Sequence, residues 1–188
     1  MSLTKKNKIE LVEEESNEEE NEGELHNLDF LLGDMFRNRK IVLNASVDES
    51  SITHAWLQLE YLKEQNREEP IYFFINCSGG TTYDVGFLID YMKSSNTPIV
   101  TVGMGCCLSA GFLILIAGHY RIVYNKTALM IHQTSISSPT MTLPALRNYM
   151  ETSINEEDSF INMMVDQCDL TKEEIYSNMA SKDWYMSA

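Results

Sequence analysis

Apolar runs alternate with helical patterns through the middle of the chain, and this alternation constrains the fold more than any other feature. The runs RKIVLNA, IYFFI and IVTVGM are rich in β-branched and aromatic residues, and each is followed by a turn and a helical segment. Parallel strands require crossover connections, which are usually helices. We therefore predict an α/β fold built from βαβ repeats.

The helical segments show regular apolar spacing, which indicates one buried face on each. These spaced positions are Ile52, Ala55, Trp56, Leu59 and Leu62 in one segment, and Val85, Leu88, Ile89 and Met92 in the next. Leu143 to Cys168 forms the longest helical pattern, and Thr171 with Glu174 forms a capping-box pair that predicts a final helix. LDFLLGDMF resembles a short helix, whereas RIVY and ALMIHQ resemble strands.

Length and charge limit the domain organisation. The 188 residues, of which 44% are hydrophobic, suit one domain. The net charge is −14, and the segment EEESNEEENEGE contributes much of it. Like charges in such a block repel each other, so we predict a disordered acidic tail over residues 1–25 and one α/β domain over 26–188. The chain has no basic stripe, which argues against nucleic acid as a partner.

An uncharged stretch from Ser94 to Tyr120 is long enough to cross a membrane. We instead predict a strand, IVTVGM, a turn at Gly105 to Ser109 and a buried helix, FLILIAG. The cysteines contain no CxxC pair, so neither a metal site nor a disulfide framework is expected. These features predict a cytoplasmic protein with no cofactor and no membrane partner.

Two strand-to-helix turns, INCSGGT and GMGCCLSAG, carry the candidate chemistry. In open α/β sheets, ligands bind at the carboxyl ends of the strands. Ser109 in the second turn is a candidate nucleophile, and His132 is the best-placed general base. A serine at this position is also a common helix N-cap, and a histidine at a strand end is often structural. The double-glycine turn, which suits an oxyanion hole, favours the catalytic interpretation.

These motifs resemble those of the proteolytic subunit of the Clp protease, ClpP. INCSGG is similar to the family's INSPGG, GMGCCLSAGFLILIAG to its nucleophile segment, ALMIHQ to its VMIHQP, and KDWYMSA to the stretch that carries the triad aspartate. The resemblance implies that Ser109 is the nucleophile, His132 the general base and Asp183 the group that orients His132. It also implies backbone N–H donors from Gly80 and Ala110 for the oxyanion.

The resemblance further implies a crotonase-like ClpP fold with a protruding handle helix. Family members assemble as two stacked heptameric rings, a tetradecamer, and receive unfolded polypeptides from an AAA+ unfoldase of the Clp type. Leu143 to Cys168 would be the handle, although its apolar pattern equally fits an ordinary core helix. Tyr72 and Phe74 match the positions that dock the unfoldase, although residues of this strand could equally belong to the core.

The resulting hypothesis is a serine endopeptidase that forms the core of an ATP-dependent protease. Three alternatives remain open at this stage: a non-catalytic ring subunit, a phage capsid-maturation protease, and an acyl-CoA hydratase or isomerase of the crotonase superfamily. The last would require a carboxylate base and no serine at the second turn.

Overall fold

A computed structural model of the protein describes residues 30–137, 140–180 and 182–187. Two units are distinct in it, Met1–Asn38 and Arg39–Ala188. In the first unit, residues 30–37 are helical (α1), as LDFLLGDMF predicted, and the Asn38 N–H donates to the Asp34 carbonyl at 3.1 Å. The predicted acidic tail over residues 1–25 lies outside the described residues, so its disorder stays a prediction.

The second unit alternates strands and helices. In chain order its elements are β1 (Lys40–Leu43), α2 (Glu49–Gln65), β2 (Ile71–Cys77), α3 (Thr82–Ser94), β3 (Ile99–Leu108), α4 (Ala110–Ile116), β4 (Tyr120–Val123), β5 (Ala128–Ile131), α5 (Leu143–Gln167), α6 (Lys172–Met179) and β6 (Trp184–Met186). The helix predicted over Leu143 to Cys168 is α5. The predicted capping box of Thr171 and Glu174 is present at the start of α6.

The strands form one mixed sheet in the order β1-β2-β3-β5-β6, with β4 paired to β3 beside β5. All neighbouring pairs are parallel except β5 and β6, which are antiparallel. The first half of β3 pairs with β4 and the second half with β5. The predicted α/β class and βαβ repeats are therefore confirmed.

Helices α2 and α3 pack their predicted apolar faces into the core. Of the spaced positions in these helices, all are buried except Trp56, which is half-buried and meets the Phe87 ring edge-on at 5.5 Å. Helix α4 is buried along its whole length, which explains why its sequence is uniformly apolar. No helix in the described part of the chain is both long and apolar enough to span a membrane.

The predicted turn at Gly105 to Ser109 is wrong at its start, because β3 continues to Leu108. Gly105 takes a φ of 63°, which bends the strand where it changes its partner from β4 to β5. A strand can therefore pass through a glycine that local patterns assign to a turn. Within this segment the chain leaves the strand at Ser109, the N-cap residue of α4.

Candidate active site

Ser109 lies at the junction of β3 and α4 in a strained backbone conformation. Its φ of 53° and ψ of −120° lie in a region that residues with a β-carbon seldom occupy. Its N–H continues the β3 to β5 ladder by donating to the Met130 carbonyl at 2.7 Å. The hydroxyl makes no capping hydrogen bond to α4, so the ordinary N-cap role does not account for this serine.

His132 follows the last residue of β5 and is brought to Ser109 by strand pairing. Leu108 and Met130 are register partners, so the residues that follow them lie at the same edge of the sheet. The His132 Nε2 atom is 2.8 Å from the Ser109 hydroxyl oxygen. A neutral imidazole at this distance can accept the hydroxyl proton as a general base.

Asp183 lies immediately before β6, on the strand next to β5. Ile131 pairs with Trp184 in antiparallel register, so one further step places Asp183 opposite His132. Its side chain is exposed, and within the described ranges no hydrogen bond joins it to His132. The structure thus brings Ser109 and His132 into contact, and places Asp183 next to them in the sheet without completing a triad.

The double-glycine turn of INCSGG packs directly against the serine. Gly79 has a φ of 102°, and a Cβ at this position would lie 2.8 Å from the Ser109 Cβ and 2.9 Å from the Leu108 carbonyl oxygen. Only glycine lets the turn come this close. The next residue, Gly80, forms a parallel bridge with Val47, and the hydrogen bonds of this bridge involve the Gly79 carbonyl and the Thr81 N–H rather than the Gly80 N–H.

Two backbone N–H groups next to Ser109 are available to a ligand. Among the described residues, neither the Gly80 N–H nor the Ala110 N–H donates to another protein group. The Ala110 N–H belongs to the first turn of α4, where N–H groups have no partner within the helix. A pair of such donors at one serine is the arrangement that stabilises an oxyanion.

Asn76 explains why the strand IYFFI ends as it does. The pairing of β2 with β3 shifts register between Ile75 and Cys77, and the Asn76 side chain fills the interruption. Its Oδ1 accepts the Cys106 N–H at 2.9 Å, and its Nδ2 donates to Asn44 Oδ1 at 2.7 Å. Asn76 therefore ties the glycine turn to the strand that ends at Ser109.

Asn76→Ala is expected to lower the free energy of unfolding by about 1–3 kcal/mol, because the half-buried Cys106 N–H loses its acceptor. Chemical denaturation of both proteins measures the change. Asn44→Ala is the matched control. Because Asn44 is exposed, this substitution should lower the free energy of unfolding by less than about 1 kcal/mol. Equal effects of the two substitutions would contradict the role assigned to Asn76.

Cys77 and Cys107, two buried cysteines beside the turn, do not compete with the serine as nucleophiles. Burial raises the pKa of the Cys107 thiol to about 12, and burial also raises the pKa of Cys77. Both thiols are therefore protonated at neutral pH, and a protonated thiol is a poor nucleophile.

Ser109 and His132 line a cleft of about 540 Å³ between the sheet edge and α5. Gly80 and Ala110, the residues that carry the two candidate oxyanion donors, line the same cleft. Its wall combines apolar and aromatic side chains with hydroxyl-bearing residues. The apolar and aromatic lining residues are Tyr83, Leu113, Met130, Ile131, Tyr149, Phe160, Ile161, Met164 and Met179. The cleft therefore offers both apolar and polar contacts next to Ser109.

A family model described as Clp protease matches residues 22–188 of the chain. The chain belongs to the Clp protease family. The resemblance inferred from the four sequence motifs is therefore confirmed.

Curated relatives of this Clp family member are similar at modest identity. The ATP-dependent Clp protease proteolytic subunit of Deinococcus radiodurans is 28% identical over 155 residues, which cover 81% of this chain and 75% of that protein. The proteolytic subunit of Cyanophora paradoxa is 26% identical over 183 residues, 95% of this chain and 90% of that protein. Proteolytic subunit 1 of Chlamydia pneumoniae is 33% identical over 122 residues, 63% of each chain. The chain is thus a divergent member of the family.

Tyr72 and Phe74, the predicted docking residues of this Clp family member, lie on the face of the sheet opposite the core. Tyr72 is 36% exposed and Phe74 is half-buried, whereas Ile71, Phe73 and Ile75 are fully buried. The alternation along β2 therefore assigns Tyr72 and Phe74 to the outer face, away from the cleft.

Sequence reasoning missed one residue in the cleft of this Clp family member. Glu157 reaches the cleft from α5, where its Oε1 accepts the Thr134 N–H at 3.4 Å. Acidic residues are abundant along the chain, so this one did not stand out. Its helical spacing from Ile161 and Met164, which are apolar and buried, is the signal that could have found it.

Proposed function

We propose that this chain is a serine endopeptidase, the proteolytic core subunit of an ATP-dependent Clp-type protease that hydrolyses peptide bonds in unfolded polypeptides. The observation that carries the proposal is the 2.8 Å contact between the Ser109 hydroxyl and His132 Nε2. The strained backbone of Ser109 supports it, because such strain is found where a nucleophile must be presented at a sharp turn.

The proposed reaction follows from these positions. The Ser109 oxygen attacks the peptide carbonyl carbon while His132 Nε2 takes the hydroxyl proton. The carbonyl oxygen becomes negatively charged and is stabilised by the N–H groups of Gly80 and Ala110. His132 then gives its proton to the leaving amine, which leaves an acyl ester on Ser109. Water, deprotonated by His132, hydrolyses the ester and restores the serine.

Asp183 is the proposed third member of the triad. Its role would be to accept the Nδ1–H of His132, which holds the imidazole in the tautomer that presents Nε2 to Ser109. The antiparallel register of β5 and β6 supports this role, because Ile131 pairs with Trp184, and His132 and Asp183 are the adjoining residues of the two strands. The bond would form on binding of substrate or of a neighbouring subunit, since catalytic hydrogen bonds often tighten on binding.

Asp183→Asn is expected to lower kcat by about 10³- to 10⁴-fold with little change in KM, because the amide stabilises the wrong histidine tautomer. Steady-state hydrolysis of a fluorogenic peptide measures both constants. The neighbouring Lys182→Gln serves as control, since Lys182 is also exposed and should leave kcat unchanged. A kcat within a few-fold of that of the parent protein would show that Asp183 has no catalytic role and that only Ser109 and His132 act in the reaction.

The proposal includes partners and an assembly. The chain has no G-x-x-x-x-G-K-[ST] loop, so ATP would be handled by a separate AAA+ unfoldase. Tyr72 and Phe74 on the outer sheet face would contribute to its docking surface. Leu143, Met150 and Ile154 are exposed on the first half of α5, which supports its proposed role as the handle between two heptameric rings. The proposed enzyme needs no cofactor and acts in the cytoplasm.

The other interpretations receive less support from the site. A hydratase or isomerase would need a carboxylate base at the turn where Ser109 lies. A non-catalytic subunit would have no need for a strained serine in contact with a histidine. A capsid-maturation protease would share the same chemistry and would differ only in its partner.

Labelling with a fluorophosphonate probe tests the proposed function directly. The probe is expected to react once per chain, and peptide mass spectrometry should place the adduct on Ser109, because only an activated serine attacks such phosphorus centres. Native mass spectrometry of the same sample measures the number of subunits in the assembly. An assembled ring that takes up no label would instead indicate the non-catalytic subunit.

A further inference from the structure

One carboxylate faces the cleft from an otherwise uncharged stripe of α5. Ser153, Ile161 and Met164 lie on the same stripe at helical spacing from Glu157, and all three are buried. Glu157 itself is half-buried and lines the same cleft as Ser109 and His132. A charge in this position adds nothing to packing and is costly to desolvate without a partner.

The Glu157 carboxylate has no cationic partner within the described ranges. Within these ranges its one hydrogen bond is the long 3.4 Å contact from the Thr134 N–H to Oε1, and Oε2 has no donor. No lysine or arginine is among the described residues that line the cleft. The site therefore presents a carboxylate whose capacity for hydrogen bonds is largely unused.

The acidic neighbours of Glu157 are directed elsewhere. Glu156 lines an adjoining groove between α3 and α5, which also contains Lys93 and shares Thr82, Tyr83 and Phe160 with the cleft. Asp158 accepts the Tyr176 hydroxyl at 2.6 Å. Among these consecutive acids, Glu157 is the one that lines the cleft.

We propose that Glu157 makes this cleft selective for a basic side chain, lysine or arginine, in the peptide next to the scissile bond. The inference rests on the proposed peptidase function and names its substrate class. Lysine and arginine carry an apolar stem and a charged tip. The stem would pack on Ile161 and Met164, and the tip would donate to the Glu157 carboxylate.

Other residues around Glu157 would also favour a bound cation. Hydroxyl-bearing residues that line the same cleft include Thr81, Thr82, Thr134, Ser135 and Ser137. Hydroxyl oxygens accept hydrogen bonds from an ammonium or guanidinium group. Tyr83 and Tyr149 also line the cleft, and the faces of aromatic rings attract cations.

Glu157→Gln separates charge recognition from a merely structural role. The amide oxygen can still accept the Thr134 N–H, so the loop contact is kept while the charge is removed. Glu156→Gln is the matched control, because it removes the same charge from the adjacent residue of the same helix but outside the cleft. The control also corrects for general attraction between a cationic peptide and a protein with a net charge of −14.

The experiment uses acetylated, amidated hexapeptides in which a single lysine is moved through each position, with norleucine as the uncharged counterpart. Binding is measured by calorimetry on Ser109→Ala, with and without each glutamate substitution, and hydrolysis is measured on the proteins that retain Ser109. At one position, lysine should be preferred over norleucine by about 10- to 100-fold. Glu157→Gln should abolish that preference and Glu156→Gln should keep it.

The inference is overturned if no position prefers lysine, if the preference survives in Glu157→Gln, or if Glu156→Gln removes it equally. The two readouts keep this failure apart from failure of the proposed function. Selective binding to Ser109→Ala without hydrolysis by the parent protein would support the basic-side-chain site and refute the peptidase. Hydrolysis by the parent protein without a preference for lysine would support the peptidase and refute the basic-side-chain site.

Discussion

Ser109→Ala is expected to lower kcat for peptide hydrolysis by roughly a millionfold, the loss seen when the nucleophile of a serine triad is removed. The substitution removes the only atom that can form the acyl ester, and His132 loses its 2.8 Å partner. The oxyanion donors and the cleft remain, so a small residual rate over the uncatalysed reaction should persist. Turnover of a fluorogenic peptide at matched protein concentration measures the change.

A second hydroxyl in the cleft provides the control for this prediction. Ser78 also lines the cleft, where its hydroxyl lies 3.2 Å from that of Ser46. Ser78→Ala should retain activity within a few-fold, since no hydrogen bond joins this serine to His132 among the described residues. A Ser109→Ala variant that keeps more than about a tenth of the kcat of the parent protein would refute the assignment of Ser109 as the nucleophile. Circular dichroism and native mass of both variants should match the parent protein.

Gly79→Ala is expected to lower the free energy of unfolding by about 3 kcal/mol or more and to reduce kcat at least about a hundredfold. The new Cβ would lie 2.8 Å from the Ser109 Cβ, and the φ of 102° is itself unfavourable for alanine. Neither neighbour can yield easily, because Leu108 and Ser109 are held by pairing with β5. The strain is therefore expected to displace the nucleophile.

Gly86→Ala is the matched control for this change. Gly86 lies within α3, and a Cβ there would have no heavy atom within 4 Å. Alanine should stabilise the protein by about 0.5–1 kcal/mol, since glycine is a poor helix former. Thermal unfolding and peptide turnover of the two variants test the pair. A Gly79→Ala protein as stable and active as the parent would contradict the close packing of the glycine turn on Ser109.

Much of the fold was predictable because it depends on local periodicity. Apolar spacing identified the buried faces of α2 and α3, and the Thr171 capping box located the start of α6. The end of β3 was less predictable, because Gly105 resembles a turn residue but lies within a strand. Whether a glycine bends a strand or ends it depends on the pairing partners available, here β4 and β5, which lie further along the chain.

Some residues of the candidate site could likewise be predicted from the sequence, and others could not. Ser109 and His132 could be chosen from their places after strands and beside glycines. Asp183 had no distinguishing local pattern and was named only through the resemblance to ClpP. Asn76 raised a question that the sequence could not answer, since its role depends on Cys106, which lies on another strand.

The sequence by itself determined the α/β class, the two glycine-containing turns and the serine and histidine candidates, because each depends on residues close together in the chain. Only the tertiary structure decided that β3 changes partner to β5, which brings Ser109 within 2.8 Å of His132. It also decided that Glu157 faces the cleft while Glu156 lines a different groove. Such contacts join residues distant in sequence, and their geometry is set by strand pairing and helix packing rather than by local propensity.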